Sequence, residues 1–298
     1  MHRRAALQTD PRGRTYKGDI TELERWDGFS PNAGDVILAT PAKSGTTWAQ
    51  SMIAMLLQGT CDLPDKLGVV SPWIDANFQP ASETRAQLSQ QTGRRVIKTH
   101  TPLDGWPVWS DVHLVVVFRH PLEVFLSSRK HLTNMRQVTS HPMLEGLDTA
   151  LAYFFDTDFS EDEVDRDTLA TIIRHFEAAT SDRWPDKLML NYASMSRDHA
   201  GTLAAPDEHL ETGAAPELLA QVQRATEFST MKSRASEFAP EAANEVWHKN
   251  EAFFAGGRSG AAEAAFSDTQ LARYKARFAE LLPDVRHRRW IETGLGHV

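Results

Sequence analysis

The sequence has very little cysteine and no long apolar run. Cys61 is the single cysteine among 298 residues, so no intramolecular disulfide and no cysteine-based zinc site can form, which fits a reducing cytoplasm. The longest aliphatic run, LVVVF at 114–118, is far too short to cross a membrane, and residues 1–18 lack the apolar core of a signal peptide. We therefore expect a cytoplasmic protein with no membrane partner.

The chain also lacks an excess of positive charge. Its 32 Lys and Arg residues against 40 Asp and Glu residues give a formal net charge of −8, which repels a polyanion away from any local basic patch. We therefore expect no nucleic-acid partner. With 41% hydrophobic residues over this length, the chain can bury a full core.

The N-terminal segment differs in composition from the rest of the chain. Residues 1–30 carry basic residues among proline and glycine, which predicts a loosely tied N-terminal tail that could still fold over a site. No internal repeat and no low-complexity tract divides the remainder of the chain, so residues 31–298 are expected to form one domain.

Short apolar runs alternate with helical patterns along residues 31–298. The buried strands are predicted at DVILAT (35–40), VIKTH (96–100), HLVVVF (113–118) and KLMLNY (187–192). Helices are predicted at 46–58 with Gly59 ending the helix, at 122–132 after Pro121, and at 218–225. We interpret 200–217 as a polar loop and the acidic run 160–167 as solvated, without a chemical role. This alternation of strands and helices predicts an α/β fold with a central parallel sheet. Ligands of such sheets bind at the carboxyl ends of the strands.

The loop KSGTT (43–47) follows the first of these strands and opens a helix. Successive backbone N–H groups and the positive end of the helix dipole converge there, which favours an anion. Gly45 allows close approach of the backbone, the hydroxyls add donors, and Lys43 adds a mobile charge. A P-loop places its lysine after the glycine, whereas here the lysine precedes it. The alternative is an ordinary strand-to-helix turn with a threonine cap.

Two further groups follow strand ends. Lys98 and His100 are two apart on a strand, so their side chains leave on one face and deliver a cation beside a base that titrates near neutrality. The alternative is a histidine that serves as a structural hydrogen bonder. Arg119 ends another strand, and Ser127 lies two turns into the next helix. The guanidinium is a candidate phosphate clamp, and the alternative is an ion-pair residue.

Four motifs together closely resemble the cytosolic-type sulfotransferases, which use 3′-phosphoadenosine 5′-phosphosulfate (PAPS). They are KSGTTW after a strand, KTH before P-L, R-x-P-x-E-V-x-x-S at 119–127 and F-x-x-G-x-x-G at 254–260, in this order. The likeness spans roughly residues 33 to 280. It implies a single α/β domain resembling P-loop kinases, with a central parallel sheet flanked by helices. It also implies sulfuryl transfer from PAPS to a small-molecule acceptor without a metal.

The resemblance also implies roles for individual residues. His100 matches the general base, and Lys98 matches the lysine beside the transferred group. Arg119 and Ser127 match the 3′-phosphate site. The loop that holds the 5′-phosphosulfate corresponds to Lys43, Ser44, Gly45, Thr46, Thr47 and Trp48. The remaining positions expected around the nucleotide are Tyr192, Thr226, Phe228, Met231, Gly257 and Arg258.

The sequence departs from the family pattern in two places. The positions of the usual Arg and Lys before the last glycine are Ala255 and Gly256, so two expected 3′-phosphate cations are absent and Arg258 is considered as their replacement. The usual dimer motif is also absent, which leaves the oligomeric state open. Its positions are Glu263, Ser267, Asp268 and Ala272.

The expected reaction is an in-line displacement in which His100 takes the acceptor's proton. By analogy with phosphoryl transfer, Lys43 would lie near the oxygen that links sulfate to phosphate, where charge grows as the bond breaks. The acceptor is expected to be a small or medium hydrophobic alcohol, phenol or amine. Aromatic residues on nearby segments are candidate pocket walls, with core or surface packing as the alternative. They are Trp73, Phe78, Trp106 and Phe154.

Three other classes of protein remain open from the sequence. A P-loop nucleotide kinase would need ATP and magnesium, and the position of Lys43 argues against it. A membrane-anchored, carbohydrate-type sulfotransferase would need an N-terminal anchor. A catalytically silent protein that senses adenosine bisphosphate would fit the changes at Ala255 and Gly256, but the intact Lys43, Lys98 and His100 argue for catalysis.

Overall fold

Four parallel strands form the centre of the protein. The computed structural model describes residues 3–9, 13–184, 186–240, 246–254, 260 and 262–298. The strands are β1 (Leu7–Thr9), β2 (Val36–Ala39), β3 (Val96–Thr99), β4 (Val108–Trp109), β5 (His113–Phe118) and β6 (Leu188–Asn191). The parallel sheet has the order β3–β2–β5–β6, and β1 pairs with β4 in a small antiparallel ribbon. The four strands predicted from apolar runs are confirmed.

The two faces of the parallel sheet bury separate groups of side chains. Ile37 and Ile97 belong to one hydrophobic core cluster, whereas Leu38 and Val96 belong to the other. Because side chains alternate along a strand, burial on both faces requires an unbroken apolar run, as the sequence provides. The parallel register aligns Ala39 with the end of β3. The polar residues after these strands therefore meet at one edge of the sheet.

Helices cover both faces of the sheet. They are α1 (Thr46–Gln58), α2 (Leu67–Val70), α3 (Ala81–Gln90), α4 (Pro121–Asn134), α5 (Leu147–Asp156), α6 (Leu169–Thr180), α7 (Tyr192–Arg197), α8 (His199–His209), α9 (Pro216–Ala225), α10 (Phe228–Ser233), α11 (Ala235–Phe238), α12 (Asp268–Leu281) and α13 (Val285–Thr293). Gly59 ends α1 in the left-handed conformation, with φ of 67°. Pro121 occupies the first turn of α4. The α/β fold with a central parallel sheet is confirmed.

The prediction of a polar loop over 200–217 is wrong, because residues 200–209 belong to α8. The carboxylate of Asp198 accepts a hydrogen bond from the Gly201 N–H at 2.8 Å and caps the start of this helix. Leu203 and Leu210 are buried in the core beneath the helix. Burial of these leucines stabilises a helix that composition alone did not indicate, even with Pro206 inside it.

Residues 13–30 do not form the loosely tied tail expected from the sequence. Tyr16, Leu23 and Trp26 are buried. The Trp26 ring stacks on Trp106 with centroids 5.1 Å apart, and its Nε1–H donates to the Asp75 carboxylate at 3.0 Å. The segment is therefore part of the folded domain, because its aromatic side chains bury apolar surface of the core. The prediction of a tail relied on the basic residues and glycines and did not weigh these aromatic side chains.

Within the part of the chain that the structure describes, we find no helix of sufficient length and apolarity to cross a membrane.

Candidate active site

The loop between β2 and α1 passes twice through the left-handed region. Lys43 has φ of 61° and Gly45 has φ of 109°. A Cβ atom at Gly45 would lie 2.7 Å from Cδ2 of Tyr192, so glycine alone lets the loop pass beneath that ring. The first N–H groups of α1 have no partner within the helix and point out of its N-terminus. This geometry is typical of loops that bind an anion, and residues 43–47 are called the anion loop below.

Two hydroxyl groups of this loop differ in their partners. Thr46 Oγ1 lies 2.6 Å from Thr40 Oγ1 and is held within the loop. Ser44 Oγ is buried and has no hydrogen-bond partner among the described residues. A buried hydroxyl without a partner is rare in proteins, because it loses its hydrogen bonds to water. The oxygen of a bound anion would satisfy Ser44.

The ammonium group of the half-buried Lys43 lies among aromatic and charged side chains. Its Nζ is 2.8 Å from Nδ1 of His131 and 4.5 Å from the centroid of the Phe253 ring. The pKa of Lys43 is lowered to about 7, mainly because the group is removed from water. The negative charge of Asp167 opposes this shift, and the positive charges of Lys98 and Arg119 add to it. Burial and the charge of Lys43 also hold the pKa of His131 well below its usual value. The neutral imidazole therefore accepts a hydrogen bond from the lysine.

A half-buried carboxylate that the sequence analysis did not select, Asp167, lies at the same site. Ser128 Oγ donates to Asp167 at 3.0 Å. Ser128 and His131 are three residues apart and share one face of α4, so their partners Asp167 and Lys43 are neighbours over that face. Burial raises the pKa of Asp167 to about 6, opposed by the Ser128 hydrogen bond and the charge of Lys43. The acidic run 160–167 thus supplies one carboxylate to the site.

His100 and Lys98 meet around the indole of Trp73. The rings of His100 and Trp73 are perpendicular with centroids 4.6 Å apart, and Lys98 Nζ lies 3.9 Å from the centroid of the Trp73 ring. His100 Nδ1 is 2.7 Å from the carbonyl oxygen of Thr40. Because a carbonyl only accepts, Nδ1 carries the proton and Nε2 of the neutral ring has a free lone pair. Burial, followed by the charge of Lys98, lowers the pKa of His100 well below its usual value.

A fully buried carboxylate fixes this indole in place. Asp75 accepts hydrogen bonds from Trp73 Nε1 at 2.7 Å and Trp26 Nε1 at 3.0 Å, and from the hydroxyls of Thr99 and Thr101. Burial raises the pKa of Asp75, and these four donors oppose the shift. The network connects the N-terminal segment to the surroundings of His100.

Arg119 is both paired and stacked. Its Nε donates to Glu123 at 2.9 Å, and its guanidinium lies 4.0 Å from the centroid of the Tyr192 ring. The other carboxylate oxygen of Glu123 accepts a hydrogen bond from the Gly260 N–H at 2.7 Å. Ser127 is half-buried on the same helix. The structure therefore pairs Arg119 with Glu123, as the ion-pair alternative predicts, and Nη1 of the guanidinium lies 3.5 Å from the Lys43 carbonyl oxygen in the loop before α1.

Aromatic residues near the start of α1 form a second part of the site. Trp48 packs edge-on against Tyr192, with centroids 5.4 Å apart, and against His199, with centroids 5.1 Å apart. His199 Nε2 lies 3.0 Å from Oγ1 of Thr226, which is fully buried. His199 was not selected from the sequence, because a histidine at a helix start has no distinctive local pattern. The imidazole of His199 therefore links Trp48 to Thr226, and Tyr192 packs directly against Trp48.

The other predicted nucleotide residues lie farther along the chain. Met231 is buried in the core on the α1 face of the sheet. Phe228 is 38% exposed and contacts Phe254, with ring centroids 6.3 Å apart. Gly257 and Arg258 lie outside the described residues, as do Ala255 and Gly256.

The structure brings two of the four predicted acceptor-pocket residues to the site. Trp73 is half-buried beside His100, and Phe78 is 50% exposed with its ring centroid 5.6 Å from that of Trp73. Trp106 and Phe154 are fully buried. Trp106 stacks on Trp26, and Phe154 packs on core aromatics of α4 and α5. The alternative interpretation as core residues describes Trp106 and Phe154.

The described part of the chain contains no group of three or more His, Cys, Asp or Glu side chains arranged to hold a metal ion.

Comparison with known proteins assigns the chain to a family. The family model of the sulfotransferase domain matches residues 33–286. Glycolipid sulfotransferases of Mycobacterium tuberculosis (strain H37Rv) and of Mycobacterium bovis are 30% identical over 297 residues, covering 90% of this chain and 91% of each relative. The chain therefore belongs to the sulfotransferase family, and the family predicted from its motifs is confirmed.

Solved structures of sulfotransferase relatives share the fold. A mouse sulfotransferase in complex with PAP superposes with a TM-score of 0.69 at 21% identity, covering 90% of this chain and 92% of that chain. Retinol dehydratase in complex with androsterone and the inactive cofactor PAP gives a TM-score of 0.66 at 19% identity, covering 85% and 81%. At these identities, the likeness establishes the architecture.

Proposed function

We propose that this sulfotransferase transfers the sulfuryl group of PAPS to a hydroxyl or amine of a small or medium hydrophobic acceptor, with His100 as the general base. The tautomer of His100 is the observation that supports this role most directly. Its Nδ1–H is held by the Thr40 carbonyl at 2.7 Å, so Nε2 is the atom free to take a proton. Burial lowers the pKa of His100, so this nitrogen is unprotonated near neutral pH.

The transfer is an in-line displacement at sulfur. The acceptor oxygen or nitrogen forms a bond to sulfur while the bond from sulfur to the bridging phosphate oxygen breaks, and the acceptor's proton moves to Nε2 of His100. Adenosine 3′,5′-bisphosphate (PAP) leaves with the bridging electrons. Lys43 and Lys98 stabilise the negative charge that develops on the leaving and transferred oxygens.

The anion loop supports PAPS as the donor. The buried hydroxyl of Ser44, which has no partner among the described residues, and the N-terminus of α1 suit the 5′-phosphosulfate. Arg119 and Ser127 are the proposed ligands of the 3′-phosphate. The mouse sulfotransferase and retinol dehydratase were both solved with PAP, which is the expected product of such a donor. No step of this scheme needs a metal.

The acceptor class is inferred from the aromatic residues beside His100. Trp73 and Phe78 offer apolar surface next to the base and the cations. Retinol dehydratase was solved with retinol and with androsterone, and the mycobacterial relatives are named glycolipid sulfotransferases. An acceptor screen therefore needs apolar alcohols, phenols, amines and the hydroxyls of glycolipids.

The decisive experiment compares His100→Ala with the unmodified protein. Transfer of labelled sulfate from PAPS to pooled acceptors is expected to fall by about 10²–10⁴-fold, because general-base catalysis contributes on that order. Calorimetric affinity for PAP should stay nearly unchanged. The matched control is His297→Ala, because this histidine is exposed near the C-terminus. Unchanged turnover in the His100 variant would remove the base assignment.

Calorimetry and the transfer screen on the unmodified protein separate this function from a nucleotide kinase and from a silent sensor. A nucleotide kinase would bind ATP with magnesium in preference to PAP. A silent sensor would bind PAP without transferring sulfate to any pooled acceptor. Preference for PAP together with sulfate transfer is the result expected of a PAPS-dependent enzyme.

A further inference from the structure

A chain of hydrogen bonds fixes the proton positions on His199. Oγ1 of Thr226 lies 2.7 Å from the carbonyl oxygen of Val222 and 3.0 Å from His199 Nε2. The carbonyl accepts only, so the single hydroxyl proton of Thr226 is directed to Val222. Oγ1 must then accept from His199, which places the ring proton on Nε2. The Nδ1 atom of the neutral ring is therefore a hydrogen-bond acceptor.

This imidazole lies next to the beginning of the anion loop's helix. His199 is half-buried, and its ring contacts the edge of Trp48, the residue directly after the loop KSGTT. Thr226 is fully buried beneath the ring, so the accessible polar atom of the pair is on His199. Burial lowers the pKa of His199, opposed by the charge of Glu227, which favours the neutral ring near pH 7. The pair offers an acceptor, and no donor, to a ligand beside Trp48.

We propose that His199 reads the base of the donor nucleotide, its Nδ1 accepting a hydrogen bond from the 6-amino group of adenine. Thr226 acts as a positioning residue, because it holds the tautomer that leaves Nδ1 bare. This proposal rests on the proposed use of PAPS. A 6-oxo purine turns an acceptor oxygen toward the same lone pair, and a polar site rejects an analogue that leaves its groups unpaired.

The experiment measures calorimetric affinities for PAP and for inosine 3′,5′-bisphosphate, which differ at position 6 of the purine. The unmodified protein should prefer PAP by about tenfold or more, since the inosine nucleotide would leave polar groups of the site unpaired. In His199→Ala this preference should fall below about threefold, because the acceptor is gone. His199→Gln should retain most of the preference, since its amide N–H can donate to Thr226 while its oxygen accepts.

Two further variants separate base recognition from packing. His199→Phe keeps a ring against Trp48 without an acceptor, so it should lose the preference as the alanine variant does. Thr226→Val keeps the imidazole but removes the hydroxyl that fixes the ring proton on Nε2. We therefore expect a reduced preference for PAP over the inosine nucleotide. Thermal unfolding checks that each variant is folded.

The possible outcomes distinguish this inference from the proposed function. Equal loss of affinity for both nucleotides in His199→Ala, or equal binding of both by the unmodified protein, overturns base reading and leaves PAPS use intact. Failure of the unmodified protein to bind PAP overturns the proposed function, and base reading with it. Loss of preference in the alanine and phenylalanine variants with its retention in the glutamine variant supports the inference.

Discussion

Lys43 combines a left-handed backbone with a half-buried side chain whose ammonium group has a lowered pKa. Its pKa of about 7 means that the charge is only partly present before an anion arrives. Two phosphate-type anions nearby would favour the charged form and raise this pKa. Anion binding is thereby coupled to uptake of a proton, and the coupling makes affinity dependent on pH.

We predict that affinity for PAP is highest below pH 7 and declines as the pH rises. A group whose pKa is raised on binding contributes fully below its free pKa, here about 7, and its contribution is lost as the pH approaches the bound pKa. Calorimetry between pH 6 and pH 9, in buffers of different ionisation enthalpy, measures both affinity and proton uptake. Lys43→Arg stays charged throughout and should give a flat profile. A flat profile for the unmodified protein would contradict the prediction.

We predict that Asp167 sets the pH at which affinity for PAP begins to decline. Its carboxylate is the main charge that raises the pKa of Lys43, so Asp167→Asn should lower that pKa below about 7 and move the decline to lower pH. The same calorimetric series measures the shift. Asp162→Asn is the matched control, because Asp162 is an exposed acid of the same acidic run. If Asp167→Asn does not change the midpoint of the curve of PAP affinity against pH, the charges of Asp167 and Lys43 are not coupled.

The sequence could predict part of this site and not the rest for a geometric reason. Lys43, Lys98 and His100 lie at or just after the carboxyl ends of β2 and β3, so local pattern and parallel topology were enough to bring them to one edge. His131 reaches Lys43 across 88 residues of chain, and Asp167 reaches Ser128 across 39. Such pairs depend on how α4 and the segment before α6 pack, which no local motif encodes.

At the scale of elements, the turn from β2 into α1 depends on Gly45. Glycine has no Cβ atom, so the ring of Tyr192 can pack directly over the loop. A Cβ atom at this position would lie 2.7 Å from that ring. The backbone is also at φ of 109°, a conformation that other residues rarely adopt. Steric fit and backbone conformation therefore require glycine at the same position.

Gly45→Ala is expected to destabilise the fold by about 1–3 kcal/mol, the typical cost of an unfavourable backbone conformation, and to weaken PAP binding. Denaturant unfolding and calorimetry measure the two effects. Gly59→Ala is a matched control with φ of 67° and no atom within 4 Å of the added Cβ. It should cost stability without altering PAP affinity. Similar PAP binding by both variants would refute the proposed importance of the loop.

The elements predicted correctly are those whose burial is visible in the local sequence. Strands β2 and β5 are buried on both faces and read as continuous apolar runs. Helix α8 has one large apolar side chain, Leu203, and its stability comes from burying that leucine and from the Asp198 cap. Tertiary burial of a helix with a single large apolar side chain is not apparent from composition, which is why this element was interpreted as a loop.

At the scale of the whole molecule, the N-terminal segment completes one of the two cores. Trp26 lies against Trp106 and Trp109, with ring centroids 5.1 Å and 5.9 Å away. Its N–H also donates to Asp75, which in turn holds Trp73 beside His100. The segment is thus connected to the site through one buried carboxylate.

We therefore predict that removing residues 1–30 prevents stable folding, since Trp106 and Trp109 would lose the surface that covers them. The milder change Trp26→Ala should cost about 3–5 kcal/mol, as truncation of a buried aromatic side chain usually does, and should lower sulfate transfer by loosening Trp73. Guanidinium unfolding and turnover measure these effects, and Leu7→Ala, at a residue 52% exposed, is the control expected to change neither. A loosely tied tail would give the opposite result, because its removal would leave stability and turnover unchanged.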